Sequence, residues 1–535
     1  MGVPNVTSHP DIARAAVKAR ASVGVARSTE RPFVAAGGQG DGMMSFNPPR
    51  RPASAELTHT DRKKLAARAR FAVNNNGYAA GSVEREVDAV VGAQFRPSPK
   101  PDARALGLSE DDALQLRADI RSRWRAWADN PLNLADVTRS QSLGQVFGTA
   151  YRSYIIEGDA LVEIAWRTDR DTQTCVRLID PDLLSNPHEA EDTAFLRQGV
   201  ELDGDGAAVG YHFRAAHEHT AYATTDTMRW VRLERETSWG RPVIAHHFDK
   251  QRDGQTRGIS HLAPILEKLG MEESYARTEL QAAILNAMFA LYVKSPLDSN
   301  TLMEALSDKE MSQGVTAFSD AAKSYHEESK IIFNGARIPH LFPGEEFEAI
   351  TAQRPAAQFE AFTDAVLRNV ATGRGQSLEQ FTGDWSKVNY SSARAAMVEI
   401  WRRLTSRRRT FAHGFCQPVY LAWLEEEIVE GKIRLPAGAP DFHDAWQLYA
   451  RAKWVGPGKG FVDPVKEAQA SAMRVALGLS TLEDEAAELT GDDWDENLAQ
   501  LNAEIALMPK GVLHPAQESF AKLIGGAAPS DRPET

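Results

Sequence analysis

Residues 373–392, Gly373-Arg-Gly-Gln-Ser-Leu-Glu-Gln-Phe-Thr-Gly-Asp-Trp-Ser-Lys-Val-Asn-Tyr-Ser-Ser392, join one apolar helical stretch, Phe359 to Val370, to a second and much longer one. Ser391 and Ser392 have hydroxyls that can accept from the free N–H groups of a helix start. Behind them, apolar residues recur at Met397, Ile400, Trp401, Leu404, Phe411 and Phe415. Steps of three and four predict a helix with one buried face. The pattern carries past a basic run (Arg402, Arg403, Arg407, Arg408, Arg409), with a kink expected at Pro418 and a stop at Gly431. Periodic patterns beyond about 25 residues belong mostly to assemblies, repeats or membranes. The chain has no internal repeat, so a part of an assembly is the first expectation.

Composition narrows the class. With 535 residues the chain can hold several domains or one elongated subunit, and 42% hydrophobic with 25% charged residues is ordinary for a globular protein. The formal net charge is −12 and the pI about 5.7. An acidic chain lacks the basic footprint of a protein that grips nucleic acid, although an acidic surface lets a polyanion slide past without binding. Cys175 and Cys416 stand far apart in apolar contexts and are expected as buried free thiols. No secretory signal is visible. The longest apolar run, Leu280 to Val293, falls short of the roughly 20 residues that span a bilayer, so a cytoplasmic soluble protein without membrane contact is expected.

Outward from the quoted stretch the pattern changes along the chain. Residues 1–55 are rich in Gly, Pro, Ala and Ser and are expected as a flexible arm, or as a processed tail touching nucleic acid or scaffold through Arg14, Lys18, Arg20 and Arg27. Thr60 to Val91 and Asp111 to Trp127 have helical period, with Trp124 and Trp127 on one face as core anchors. Five strands are predicted: Ala160–Ala165, Cys175–Ile179, Val209–Phe213, Arg229–Leu233 and Pro242–Phe248. Beyond Gly258 a helix is expected to about Val293, its apolar face (Ile265, Leu269, Ala276, Leu280, Ile284) interrupted by Glu272. Asp298 to Lys323 read as a polar helix, and Lys330 to Ile350 as two strands around Pro343-Gly344. The class is α+β.

No catalytic constellation emerges. His217-Glu-His219 and His246-His247 would put imidazoles on strand faces, which makes a zinc site conceivable, but no third ligand falls nearby with recognised spacing. Solvated strand histidines explain the same residues. Gly456-Pro-Gly-Lys-Gly460 lacks the order of a phosphate-binding loop, and there is no Gly-x-Ser-x-Gly elbow. The expectation is no enzyme, no cofactor and no metal. The Arg402–Arg409 cluster reads either as a solvated face paired with Glu399 and Glu425-Glu-Glu427, or as a contact for acidic groups on another chain or for nucleic acid. Arg408 lies in the apolar stripe and is expected to reach a carboxylate or water.

Phe381-Thr-Gly-Asp-Trp-Ser-Lys-Val-Asn-Tyr-Ser-Ser-Ala-Arg394, followed by Trp401, resembles the signature of lambda-type phage portal proteins. Other family-like phrases stand in order. Asn74-Asn-Asn-Gly-Tyr78 precedes Glu157-Gly-Asp-Ala-Leu161 and Arg177-Leu-Ile-Asp-Pro181. His247-Phe-Asp-Lys-Gln-Arg-Asp-Gly-Gln-Thr-Arg-Gly258 and Asp463-Pro-Val-Lys-Glu467 follow. The resemblance covers about Asp61 to Gly491 and departs at Gly375-Gln-Ser377, where such proteins usually read Gly-Leu-Pro.

The resemblance implies a portal fold: a mixed α/β wing (56–257), a two-helix stem (258–294 and 356–372) and a small α/β clip (295–355). It further implies a tunnel loop (373–390), a long wing helix (391–462), a helical crown (463–509) and a variable tail (510–535). It also implies a dodecameric ring at one capsid vertex, in the virion after assembly in the host cytoplasm. The partners it implies are the terminase large subunit, a head completion or tail adaptor protein, the major capsid and scaffold proteins, and double-stranded DNA in the channel. On that reading Glu267, Glu272, Glu273, Glu279 and Lys387 are candidate channel residues, and Arg402, Arg403, Arg407, Arg408 and Arg409 candidate subunit or DNA contacts. The rivals are a metal-dependent nucleic-acid-processing enzyme and a plain capsid or scaffold component.

Overall fold

A computed structural model describes residues 51–93, 95–220, 224–288, 292–294, 320, 323–324, 330–333, 336–339, 346–348, 356–386, 388, 390–460 and 463–508. The expected flexible arm up to residue 50, most of the polar helix from Asp298 to Lys323, the Pro343-Gly344 turn, Lys387 and the tail from 509 lie outside them. The chain divides into Met1–Glu56, described only for a helical turn at Ala53–Glu56, and Leu57–Thr535.

The second unit begins with two helices where the sequence pattern suggests one. His59–Asn75 is capped by Thr58, whose hydroxyl accepts from Asp61 N at 3.1 Å. Asn76 ends this helix and starts Gly77–Val90: its own N–H donates to Ala72 O at 2.8 Å, while its side chain accepts from Tyr78 N and Ala79 N. A short amide that competes with the backbone is favoured at a cap, so periodicity alone overlooked the break. Glu110–Ala128 follows, then Leu143–Glu157 with a Ser142/Gln145 capping box.

Gly158 (φ 91°) turns the chain into Asp159–Trp166, the central strand of a three-stranded antiparallel sheet flanked by Thr174–Ile179 and Ile244–Phe248. A second antiparallel sheet runs Leu196–Arg197, Val200–Leu202, Ala208–Arg214, Trp230–Glu234 in meander order. All five predicted strands are present, within one or two residues of their predicted bounds.

The helix expected from Gly258 starts only at Leu266 and reaches Met288. Strand Tyr292–Lys294 pairs with Glu346–Glu348, and Lys330–Phe333 with Ala336–Pro339, before helix Ala356–Arg374. The quoted stretch is not a bare loop. Ser377 caps a short helix, Leu378–Thr382, that buries Phe381 completely. The long helix then runs Tyr390–Phe411, passes through one π-helical turn at Ala412–Cys416 and continues as Gln417–Val429. The irregularity thus precedes the expected kink at Pro418. Proline lacks an N–H and its ring crowds the carbonyl four residues back, here Gly414, so the widened turn takes up the misfit upstream. Glu430 and Gly431 (φ 71°) close the helix, with Ile433 N donating to Glu427 O.

The main core joins these helices to the first sheet. At its centre Trp124 lies edge-on to Trp127, Tyr420 and Trp423, with ring centroids 5.0–5.4 Å apart. Both cysteines are buried free thiols. After strand Ala452–Val455 come three helices, Pro464–Ala476, Leu482–Leu489 and Trp494–Leu507, capped by Asp463, Thr481 and Asp493. Among the described residues no helix is long and apolar enough to cross a membrane.

Candidate channel helices and the ionic anchor at their base

Leu266–Met288 and Ala356–Arg374 lie side by side and run antiparallel. Lys268 Nζ donates to Asn369 Oδ1 at 2.5 Å, and Tyr275 packs on Phe359 and Phe362 at 5.4 and 4.9 Å, so residue numbers fall on one helix as they rise on the other. Ile265, Leu269, Leu367, Val370 and Ala371 seal the base of the pair. Gly373 is required there, since a Cβ would come 2.6 Å from Ile265 Cγ2. Higher up, apolar side chains face outward: Met271, Leu280, Ile284 and Phe362 are each about half exposed or more.

The four candidate acids divide between faces, as about 100° per residue dictates. Glu272 and Glu279 are seven apart and share a side; Glu272 is only 7% exposed. Burial, aided by Glu273, pushes its carboxyl above the usual range. Glu267 is exposed, and Glu273 accepts from Arg277 at 3.1 Å on another side.

Beneath this pair sits a buried ionic cluster. Glu86, 1% exposed on helix Gly77–Val90, receives Arg374 from the end of helix Ala356–Arg374 at 2.7 Å and Arg407 from the long helix at 2.5 Å. Arg403 stands 3.6 Å away, and the Tyr151 hydroxyl donates at 3.2 Å. Burial alone would raise the Glu86 carboxyl, but the opposing fields of Arg374, Arg407 and Arg403 outweigh it and hold the group below its ordinary value. Arg403 also donates to Arg374 O and packs against Gly375 (φ 63°), where a Cβ would strike its guanidinium. Three helices are thereby tied at one point.

A second buried cluster fixes where the chain leaves the first sheet on its way to helix Leu266–Met288. Asp159, fully buried, accepts from Arg257 Nε at 2.9 Å and Gly258 N at 2.7 Å, and is bonded to His246 Nε2 at 3.0 Å. Arg257 also donates from Nη1 to Leu184 O and Gln198 O and from Nη2 to Pro181 O. Both phrases stand out in the sequence, but nothing local pairs them. The signal was a lone Asp opening an apolar strand and an Arg-Gly ahead of a helix, 98 residues apart.

Several expectations need correction. The Arg402–Arg409 run is not one solvated face: Arg402 and Arg409 are exposed, whereas Arg403 and Arg407 turn inward to Glu86. Arg408 reaches not a carboxylate but the carbonyls of Ala89, Val90 and Pro457, at 2.7–3.0 Å. Two of these are orphan acceptors at a helix C-terminus, a favourable seat for a cation. Glu425, Glu426 and Glu427 are buried and pair elsewhere. Glu425 takes Trp239 and Arg241, Glu426 takes the N–H groups of Gln173 and Thr174, and Glu427 takes Thr172 and Arg123.

The histidines do not gather either. His246 serves Asp159, and His247 is wedged under Gly414, where a Cβ would come 2.5 Å from its Nδ1. His217 and His219 sit beyond the strand end at Arg214, in the open. Among the described residues the one group spaced for a metal is Glu157, Asp180 and Asp182, which holds no histidine. Arg62 and Arg70 already occupy Asp182, and Arg70 also occupies Glu157.

Comparisons with known proteins give the chain a family. Residues 39–408 match the family model described as phage portal protein, lambda family. The chain is 32% identical over 504 residues to the portal protein of Escherichia phage N15, covering 93% of this chain and 94% of that protein. It is also 32% identical over 472 residues to portal protein B of Escherichia phage lambda, covering 87% of each. Among solved structures, chains from the neck of a native and of an empty gene transfer agent particle are 13% and 14% identical, with TM-scores of 0.42 and 0.45. They cover 81% and 83% of this chain, and 93% and 96% of their own. On the family match and the two relatives, the chain belongs to the lambda family of phage portal proteins.

Proposed function

We propose that twelve copies of this chain close a ring at one capsid vertex and that DNA enters and leaves the capsid through it. The observation that carries this reading is the antiparallel pair Leu266–Met288 and Ala356–Arg374. It is tied firmly at its base through Glu86, yet leaves Met271, Leu280 and Phe362 in water. Apolar side chains on so narrow a pair are suited to cover by the next copy, and head-to-tail contacts generate a ring when the rotation closes. The pair is then the stem, residues 295–355 the clip, and 373–390 with Lys387 the tunnel loop. Residues 56–257 and 391–462 form the wing and 463–509 the crown. The net charge of −12 suits a conduit, because a wall rich in Lys and Arg would hold the duplex.

Within this role the clip docks the terminase large subunit during packaging and a head completion or tail adaptor protein afterwards, and the ring's outer face meets the major capsid and scaffold proteins. The protein does no chemistry of its own. Assembly takes place in the host cytoplasm and the finished ring stays in the virion. Negative-stain electron microscopy with native mass spectrometry of the purified chain tests the core of the proposal. A closed ring with a central hole is expected. A monomer at every salt and protein concentration, with or without scaffold, would overturn it, and shells would favour a plain capsid component. Deleting Asp298 to Lys323 should leave rings intact and abolish terminase docking; normal docking would refute the clip assignment.

A further inference from the structure

The first sheet ends in an open edge. Its strand order is Thr174–Ile179, Asp159–Trp166, Ile244–Phe248, so Ile244–Phe248 has a neighbour on one side. Ile164 N donates to Val243 O at 2.8 Å, which fixes the alternation. Ala245 and His247 bond to the central strand, whereas the N–H and C=O groups of Ile244, His246 and Phe248 face away from it. Arg235 O takes Ile244 N at 3.1 Å. Among the described residues the outward groups of His246 and Phe248 have no partner. Exposure agrees: the His246 side chain is only 3% exposed while the residue as a whole is half-buried, so its main chain is the part in water.

A cleft of about 300 Å³ is lined by Ile244, His246 and Phe248 and so lies against this edge. Val200 and Tyr211 of the second sheet form one wall, and Gly414 in the π-helical turn of the long helix forms another. Tyr211 is 4% exposed, yet its hydroxyl has no hydrogen-bond partner among the described residues. Arg235 and Lys250 stand at the rim with Glu236. Lys250 is held by Asp253, whereas Arg235 meets no carboxylate among the described residues and has a bond of 3.4 Å to Ala208 O.

We infer that an extended segment of another protein adds as a fourth strand to the edge Ile244–Phe248, seating one apolar side chain in the cleft and an acidic one beside Arg235. An unpaired row of N–H and C=O groups is a template for another main chain, and a polypeptide repeats those groups at the spacing of a strand. The edge is set beforehand, since His246 Nε2 is bonded to the buried Asp159 and holds the strand in place. It lies in a recess between the second sheet and the long helix, which keeps out the folded edge of a second copy and admits a free, extended segment. Arg235 without a carboxylate selects an acidic one. In the chain's own tail the longest run without Gly or Pro, Ala516 to Ile524, is made mostly of helix formers, which does not suit a strand. The inference does not depend on the ring proposed above.

Hydrogen–deuterium exchange of the full-length chain, read at single residues, tests this with a set of short extended peptides, acidic at both ends and with Val, Ile, Leu, Phe or Tyr at the centre. At about 1 mM, at least one peptide should slow exchange at His246 and Phe248 by about tenfold or more. The same peptide N-methylated at alternate amides should give no protection, because it cannot complete the ladder. Arg235→Glu changes an exposed side chain and should leave the fold intact, but it should weaken the acidic peptide by about fivefold and favour a lysine counterpart. Protection that survives N-methylation would overturn the inference, since the cleft would then hold a side chain and no strand. So would amides already slow in the purified chain, which would mean that this chain or a second copy covers the edge. Absence of protection by every peptide in the set would overturn it too, and an Arg235→Glu chain that binds the acidic peptide as well as before would overturn the choice of an acidic partner.

Discussion

Replacing Glu86 by Gln keeps the shape of the side chain and removes the carboxylate charge that Arg374, Arg407 and Arg403 share. Arg374 is fully buried, so its charge has no route to solvent. Breaking a buried pair by removing one partner costs about 3–5 kcal/mol, because the partner left behind stays desolvated and unpaired. Arg403 adds little, being partly exposed and at 3.6 Å, and the Tyr151 hydroxyl can still donate to the amide oxygen. The expected loss is thus about 3–5 kcal/mol. Unfolding entropy of about 2.1 cal/mol/K per residue makes a cooperative unit the size of Leu57–Thr535 lose about 1 °C per kcal/mol. The thermal midpoint should therefore fall by roughly 3–5 °C, read by the fluorescence of the buried tryptophans. Glu399→Gln on the exposed side of the long helix serves as the surface control and should stay within about 0.5 kcal/mol. Adding Arg374→Met to Glu86→Gln should recover part of the loss, because it removes the stranded charge. A Glu86→Gln protein within about 1 kcal/mol of wild type, or a double variant as poor as the sum of the singles, would refute the view that this carboxylate is what the three helices share.

Acid should destabilise the fold through His247. Burial depresses its pKa from 6.5 to about 4, so the native state holds the ring neutral, and this contribution is complete above pH 6.5 and lost as the pH falls towards 4. It amounts to at most about 3 kcal/mol. Urea midpoints of His247→Gln should decline less steeply than those of wild type over that range, and parallel curves would count against the assignment. On helix Leu266–Met288, Glu267→Lys should leave subunit stability within about 0.5 kcal/mol, whereas Glu272→Lys should cost about 2 kcal/mol or more, since only Glu272 of the two is buried. Equal melting of the two would show that the helix faces are wrongly assigned. In packaging assays, unchanged efficiency after reversing all four acids, Glu267, Glu272, Glu273 and Glu279, would dispose of the acidic wall.

Local sequence was sufficient for the elements whose signal is local. The short β-branched and alternating runs at Asp159–Trp166 and Ala208–Arg214 and the three-and-four spacing from Met397 to Phe415 each report on a single element. The family likeness was legible for the same reason, being carried by contiguous phrases. Partner choice was not. Glu86 and Arg374 are 288 positions apart, and nothing in the spacing of either says that a carboxylate on an early helix will absorb charges from two later ones. Glu425 to Glu427 read as a solvated acidic run because charge runs usually are. Only the packing of their helix against strand Thr174–Ile179 and Arg241 turns them inward as acceptors. The sequence by itself thus determined the main run of helices and strands, though not every break and start, and the family they compose, because those are largely properties of neighbours along the chain. Which charges are buried, which histidines are spent and which apolar faces remain uncovered was decided by tertiary structure alone, because desolvation depends on what arrives from elsewhere in the chain.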